Sequence, residues 1–221
     1  KSFVKTIQSS IQMSLFLSIP SAVGLIVLSD PIISLIYEHG HFSHADTLQT
    51  SYALMAYAFG ISAYSLIKIY QPAYLAFHDA KTPMMVSLAS ILVNFSINWY
   101  FIRILNWPHW ALALGTAIVA CLNFTILMWW FHKKQPGIWT MKLFVNFLKI
   151  LISAVVMGVG LWYFRHNYWD AVCAARFDSK ILSQLIQVFA PLFLGVIIYF
   201  MMAILLKVDD VKVFTRRFTK K

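Results

Sequence analysis

Two features of the 221-residue sequence carry side chains able to do chemistry. The first is the polar run Glu38-His39-Gly40-His41-Phe42-Ser43-His44-Ala45-Asp46. His39, His41, His44 and Asp46 invite a metal site, and His41 and Asp46 also have the His-x4-Asp spacing of a membrane acyltransferase. The surrounding sequence supports neither. Ligand spacing alone lacks the outer partners that orient metal-bound imidazoles, and no soluble catalytic domain follows. Asp46, just before Thr47 and an apolar run, is better placed near a helix N-terminus, where a carboxylate accepts from orphan N–H groups. No serine, histidine and carboxylate set otherwise converges on a hydrolase, and there is no glycine-rich phosphate loop. The sequence assigns no catalytic residue, no metal and no cofactor.

The second feature is Lys68, deep in an apolar run and about 15 Å of helix away from the connector at Asp79. A cation at that depth is costly unless it faces other helices or a wet cavity, which makes it a functional candidate; the alternative is a local ion pair between packed helices. Tyr57, Gly60, Tyr64 and Gln71 stand at offsets from Lys68 close to multiples of 3.6 and share its face. Further on, Ser87, Ser90, Asn94 and Asn98 form a similar stripe, and Thr116 and Asn123 lie two turns apart. Such residues either line a cavity or hydrogen-bond between helices, worth about 0.6–2 kcal/mol each. Three polar faces in succession favour a water-filled interior.

The elements that must position these residues are membrane spans. Hydrophobic residues make up 60% of the chain and charged ones 12%, far from the balance of a water-soluble domain. Uncharged stretches run from Thr6 to Ser29, Thr47 to Ile67, Thr82 to Ile102, Ile104 to His132 and Ile181 to Leu206. A sixth, Leu143 to Phe164, contains only Lys149, close enough to its start to snorkel to the headgroups. Each is long enough for the roughly 20 residues a crossing needs. Period-two alternation is missing, which argues against a β-barrel. The expected fold is all-α, a bundle of six transmembrane spans.

The net charge of +10 follows the positive-inside rule rather than nucleic-acid binding. Of the 18 Lys and Arg, Lys68 and Lys149 lie within spans, and Arg103, Arg165, Arg176 and Lys180 fall in one set of loops. The other twelve lie at the termini and in the second and fourth loops, which predicts cytoplasmic termini. Trp99, Tyr100, Trp107 and Trp110 mark one interface, and Trp129, Trp130 and Trp139 the other. Pro20 and Gly24 interrupt the first span, Asp30-Pro31 ends it, and Ile32 to Tyr37 reads as an interfacial turn. The second span, Leu48 to Phe77, is too long for a perpendicular crossing and must tilt, bend at Pro72 or project. Residues 133–142, with Pro136-Gly137, form a linker that divides residues 1–135, four spans, from a C-terminal helical pair with a basic tail, 136–221. Cys121 and Cys173 lie at different depths and are poor disulfide partners. The tail from Lys207 reads either as an amphipathic helix on anionic headgroups or as a solvated end.

In order, these segments resemble the later half of the MurJ/MviN family of lipid II flippases, within the superfamily of multidrug and polysaccharide exporters. The resemblance covers most of residues 10–135. It rests on Leu17-Ser-Ile-Pro20 with Gly24-Leu25, and on Gly40-His-Phe42-Ser-His-Ala-Asp46-Thr47. Further pieces are Leu54-Met-Ala-Tyr57-Ala-Phe-Gly60, Lys68 with Pro72, Asp79-Ala-Lys-Thr82-Pro83, Asn94, and His109-Trp-Ala-Leu-Ala-Leu114 leading to Leu122-Asn123. Leu75, Phe77 and Ala111 depart from the family pattern, and Phe77 removes a positive charge the family often carries before the Asp79 connector.

The resemblance implies helices nine to fourteen of a fourteen-helix protein in the bacterial inner membrane, whose N-terminal lobe is not in this sequence. Its last two helices would form a groove for a lipid tail. The implied function is translocation of undecaprenyl-pyrophosphate-linked peptidoglycan precursor, lipid II, by alternating access. The membrane potential or a coupled ion, sodium or proton, would drive it, with lipid II and membrane lipids as partners and no covalent chemistry. Lys68, Tyr57, Tyr64, Gln71, Asn94, Asn98 and Asn123 are the cavity candidates. Gly40, Phe42, Asp46, Thr47, Asp79, Thr82 and Pro83 are motif residues of structural type. Competing readings are another exporter of this architecture, a membrane acyl- or glycosyltransferase using His41 and Asp46, and a non-transporting scaffold.

Overall fold

A computed structural model describes residues 2–169 and 180–211. It contains α1 (Ser2–Val27), α2 (Ser29–Tyr37), α3 (His44–Ala76), α4 (Lys81–Trp99), α5 (Trp110–Lys134), α6 (Met141–Phe164) and α7 (Lys180–Leu205). Widened π-type turns, Tyr100–Ile104 and Arg165–Trp169, extend α4 and α6. All the helices except α2 are long and apolar enough to cross a membrane, giving six spans. Helices satisfy their own backbone hydrogen bonds, which hydrocarbon cannot do for them. The chain is thus a multi-pass membrane protein, as its sequence led one to expect.

The spans pack in the order α4, α5, α3, α1, α6, α7, and α2 lies against α3 and α7. Small residues set the spacing. A Cβ on Gly60 of α3 would stand 3.1 Å from the Cα of Ala117 on α5, and Ala113, Ala117 and Ala120 are buried along the same helix. Lipid tails are as apolar as leucine, so membrane helices associate through such close packing and through hydrogen bonds rather than by escaping water. Below the small-residue contact, Tyr74 sets its ring edge-on to Phe131 at 4.9 Å and donates its hydroxyl to the Leu127 carbonyl at 2.8 Å. On the other side of the molecule the buried Tyr199 of α7 donates to the Phe16 carbonyl of α1 at 2.7 Å.

One boundary differs from the sequence reading. The first span ends at Val27, and Asp30-Pro31 stands in the first turn of α2 instead of terminating α1. A first helical turn has no use for the N–H that proline lacks and is stabilised by a carboxylate, so this dipeptide starts a helix as readily as it stops one. Arg165 clasps the break, donating to the Val27 carbonyl at 3.1 Å and to Asp30 at 3.0 Å. The long second span is one 33-residue helix through Pro72.

The segment between α5 and α6, read from sequence as a linker, is held at several points. Gln8 of α1 donates to the carbonyls of Gly137 and Ile138 at 3.1 and 2.8 Å. Ile138 is buried, and the Trp139 indole donates to the Tyr70 hydroxyl at 3.0 Å. The same end of the molecule carries the start of α1, the α3–α4 connector and the residues after α7. There Lys149 donates to the Lys207 carbonyl at 3.3 Å, and Asn146 donates to Asp210 at 2.7 Å. Burial pushes the Asp210 carboxyl up from its ordinary value. Cys173 and the tail beyond 211 lie outside the described residues.

Two measurements probe this packing. Gly60→Leu should force α3 away from α5 and lower stability by about 1–3 kcal/mol, read as a fall in the melting temperature of the detergent-solubilised protein. The second concerns Asp79, which pairs with Lys134 and is held at about 2 by that contact and by the Thr82 hydrogen bonds. A depressed carboxyl stabilises the fold above the ordinary carboxylate range of about 4 and ceases to do so as pH falls toward 2. The melting-temperature difference between the native protein and Lys134→Gln should therefore be constant near neutrality and vanish on acidification through that window.

Candidate functional site

An open polar face on α3 is the first part of the site. Tyr57, Tyr64, Lys68 and Gln71 are all exposed on it, and Lys68 has no acidic partner among the described residues. The helix-packing ion pair considered from sequence is therefore not formed among the described residues. Gly60, grouped with this stripe by its spacing, is buried against Ala117. At about 100° per residue it lies about 60° round from Tyr57, at the edge that meets α5. Tyr64 reaches the same neighbour, donating to the Thr116 carbonyl at 3.4 Å. On the opposite flank, the Ser18 hydroxyl of α1 donates to that of Ser62 at 3.2 Å.

The polar residues of α4 and α5 come together at the seam between those helices. Asn123 donates to the Ser90 hydroxyl at 3.0 Å, Asn94 to that of Thr116 at 3.4 Å, and Asn98 to the side-chain Oδ1 of Asn94 at 3.0 Å. The seam is tight at Gly115, where a Cβ would fall 2.2 Å from Asn98 Oδ1. Asn98 Oδ1 and Asn123 Oδ1 are buried without a hydrogen-bond partner, and neutral oxygens of this kind are ligands for hard cations. The structure thus separates the cavity candidates into an open set on α3 and a partly buried set between α4 and α5.

The motif residues brace the ends of the spans. Ser43 caps α3: its backbone N–H and hydroxyl donate to Asp46 at 2.9 and 2.6 Å, and the Asp46 N–H returns to the Ser43 hydroxyl at 3.3 Å, a reciprocal capping box. Buried Thr47 donates to Glu38 at 3.1 Å, Gly40 takes φ 62°, and the Phe42 ring rests 5.9 Å from that of Tyr37. Asp46 is engaged as a cap through one carboxylate oxygen, and no ion pair joins it to His41 among the described residues. Among the described residues no three His, Cys, Asp or Glu gather as a metal cluster. At the other end Asp79 accepts from the Thr82 N–H at 3.0 Å and pairs with Lys134, while Pro83 is buried in the first turn of α4. Phe77, one of the residues read through the resemblance as departing from the family pattern, packs edge-on against Phe3 and Phe131 at 5.2 and 5.7 Å.

A third part was anticipated only through the resemblance. An apolar cleft of about 450 Å³ runs between α1, α6 and α7, lined among others by Phe16, Pro20, Gly24, Leu161, Leu192 and Tyr199. The Arg165–Asp30 clasp and the Asn146–Asp210 pair are among the polar contacts that were not anticipated. Each joins residues more than 60 positions apart, and no local spacing announces it.

A family model described as "Lipid II flippase MurJ" matches residues 1–177. The chain is 34% identical to a "Probable lipid II flippase MurJ" of Rickettsia prowazekii over 205 residues, 90% of this chain and 38% of that protein. It is 30% identical to a protein of the same description from Haemophilus influenzae, over 76% of this chain and 32% of that one. Among solved structures it is similar to "Lipid II flippase MurJ, inward closed conformation", with a TM-score of 0.73 and 28% identity over 95% of this chain and 40% of the other. The chain therefore spans roughly a third to two fifths of the length of these relatives. With a family match over most of its residues and a helix arrangement shared with a solved relative, the chain belongs to the lipid II flippase MurJ family.

Proposed function

We propose that the protein containing this chain carries lipid II from the cytoplasmic to the outer leaflet of the bacterial inner membrane by alternating access. The observation that carries the reading is Lys68, a cation without an acidic partner among the described residues, on an open polar face of a membrane-spanning helix, in a chain of this family. A pyrophosphate-sugar headgroup cannot cross hydrocarbon bare, because desolvating its charge costs many kcal/mol. A fixed cation facing a wet interior lowers that cost, and Lys68, Tyr57, Tyr64 and Gln71 contribute to such an interior from this side. Binding and release with no bond made or broken is transport, not catalysis.

Other parts take complementary roles. Residues 1–135 belong to the second transporter lobe, and 136–221 form the C-terminal pair with its tail. The cleft between α1, α6 and α7 accepts part of the polyprenyl chain, since its lining is apolar. The rest of the cavity comes from an N-terminal lobe outside this sequence. The end that carries Lys81, Lys133, Lys134 and Lys142 faces the cytoplasm by the positive-inside rule. The membrane potential or a coupled ion, sodium or proton, drives the cycle, and the unpartnered Asn98 oxygen beside Asn94 and Thr116 suits sodium better than a proton.

The test uses the full-length protein in cells depleted of their own lipid II flippase, with an externally added enzyme that cleaves outer-leaflet lipid II. The native protein should restore cleavage. Lys68→Ala should reduce it about tenfold, the scale of one lost hydrogen bond to a charged group, and Lys68→Arg should retain most of it. Normal transport by Lys68→Ala removes the proposed role of that cation. No cleavage with abundant, inserted native protein removes the lipid II reading.

A further inference from the structure

The transport reading leaves unused a cleft between α4 and α5. It measures about 500 Å³ and is lined mainly by apolar side chains, among them Met85, Ala89, Val93, Leu122, Ile126 and Trp129. Only 6% of the apolar window of α4 is buried, so this side of the helix depends on whatever fills the cleft. Most such surface meets ordinary lipid, and apolarity alone selects nothing. Selection comes from the rim.

Two cations stand there. Lys133, in the last turn of α5, holds its ammonium 3.6 Å from the centroid of the exposed Trp129 ring. Lys81 opens α4 one turn before Met85, a residue of the cleft. The pair between Asp79 and Lys134 ties the end of α5, which carries Lys133, to the connector just before Lys81. It also uses up the nearby carboxylate, because the other Asp79 oxygen accepts from the Thr82 N–H. Among the described residues Lys81 and Lys133 have no acidic partner.

We propose that the α4–α5 cleft is a binding site for one anionic diacyl phospholipid, with its phosphate held between Lys81 and Lys133 and an acyl chain lying along the apolar lining. Basic pockets between membrane helices at the cytoplasmic surface select anionic headgroups, and exposed tryptophans sit at headgroup depth. Here Trp129 and Trp130 place that depth beside the rim lysines. A free phosphate would leave the apolar cleft empty. A packed helix would fill the cleft but leave both lysines without counter-charge. A phospholipid satisfies both, and the site does not depend on what the protein transports.

The experiment takes the full-length protein in detergent and counts retained lipid by native mass spectrometry, with phosphatidylglycerol and phosphatidylcholine of identical chains as probes. A preference for phosphatidylglycerol is expected. Lys81→Gln with Lys133→Gln should reduce it about 25-fold, about fivefold for each lysine near a headgroup, with phosphatidylcholine retention and melting temperature unchanged. The double arginine variant should keep the preference, as should Arg103→Gln, which removes a cation over Trp99 at the opposite end. Ala89→Phe, which fills the cleft, should lower retention of both lipids. An undiminished preference in the double glutamine variant overturns the proposal, as does an equal loss in Arg103→Gln. Unchanged lipid retention with a lowered melting temperature in Ala89→Phe also overturns it, since another helix would then occupy the cleft.

Discussion

The close approach of α3 and α5 is the contact on which the rest of the structure depends. Gly60 and Ala117 allow the two backbones to meet, and Tyr74 then reaches the Leu127 carbonyl and the Phe131 ring. In lipid there is no hydrophobic gain from bringing two greasy helices together, so contact area and hydrogen bonds must supply the attraction. Once α3 is held against α5 on one flank and α1 on the other, its rotation is settled. The residues left facing away include the chemically distinctive ones, Lys68 among them.

That division explains why the sequence revealed some levels of the structure and not others. Helix number and approximate ends were legible because bilayer thickness imposes a length on every span, and Asp46 just before an apolar run announced the start of α3. Lateral order was not legible, because a membrane helix is apolar toward both its neighbours and the lipid, and periodicity loses its meaning. Gly60 shows the difficulty: its offset assigned it to the polar stripe, but its lack of a side chain made it a contact residue. The asparagines show it differently. Asn94, Asn98 and Asn123 were recognised as polar residues with a purpose, and only the partner helix revealed that they meet across one seam.

The family's motif residues divide by mechanical task. Asp46, Thr47, Asp79, Thr82 and Pro83 sit at helix ends, where unpaired backbone groups need partners, and they maintain the length and entry angle of α3 and α4. Phe77 belongs with them in this chain. It contributes an aromatic face shared with Phe3 and Phe131 that packs the end of α3.

The connector between α5 and α6 sets how the molecule can move. With Gln8 holding two of its carbonyls, Ile138 sunk into the core and Trp139 bonded to Tyr70, it has no slack to act as an elbow. The clasp of Arg165 on Val27 and Asp30 fastens the same pair of helices at the far end. Joined at both ends, α6 is tied to α1, which in turn packs against α3. A probe attached to the exposed surface of α6 would therefore read the tilt of α1 and α6 together without touching the Lys68 face of α3.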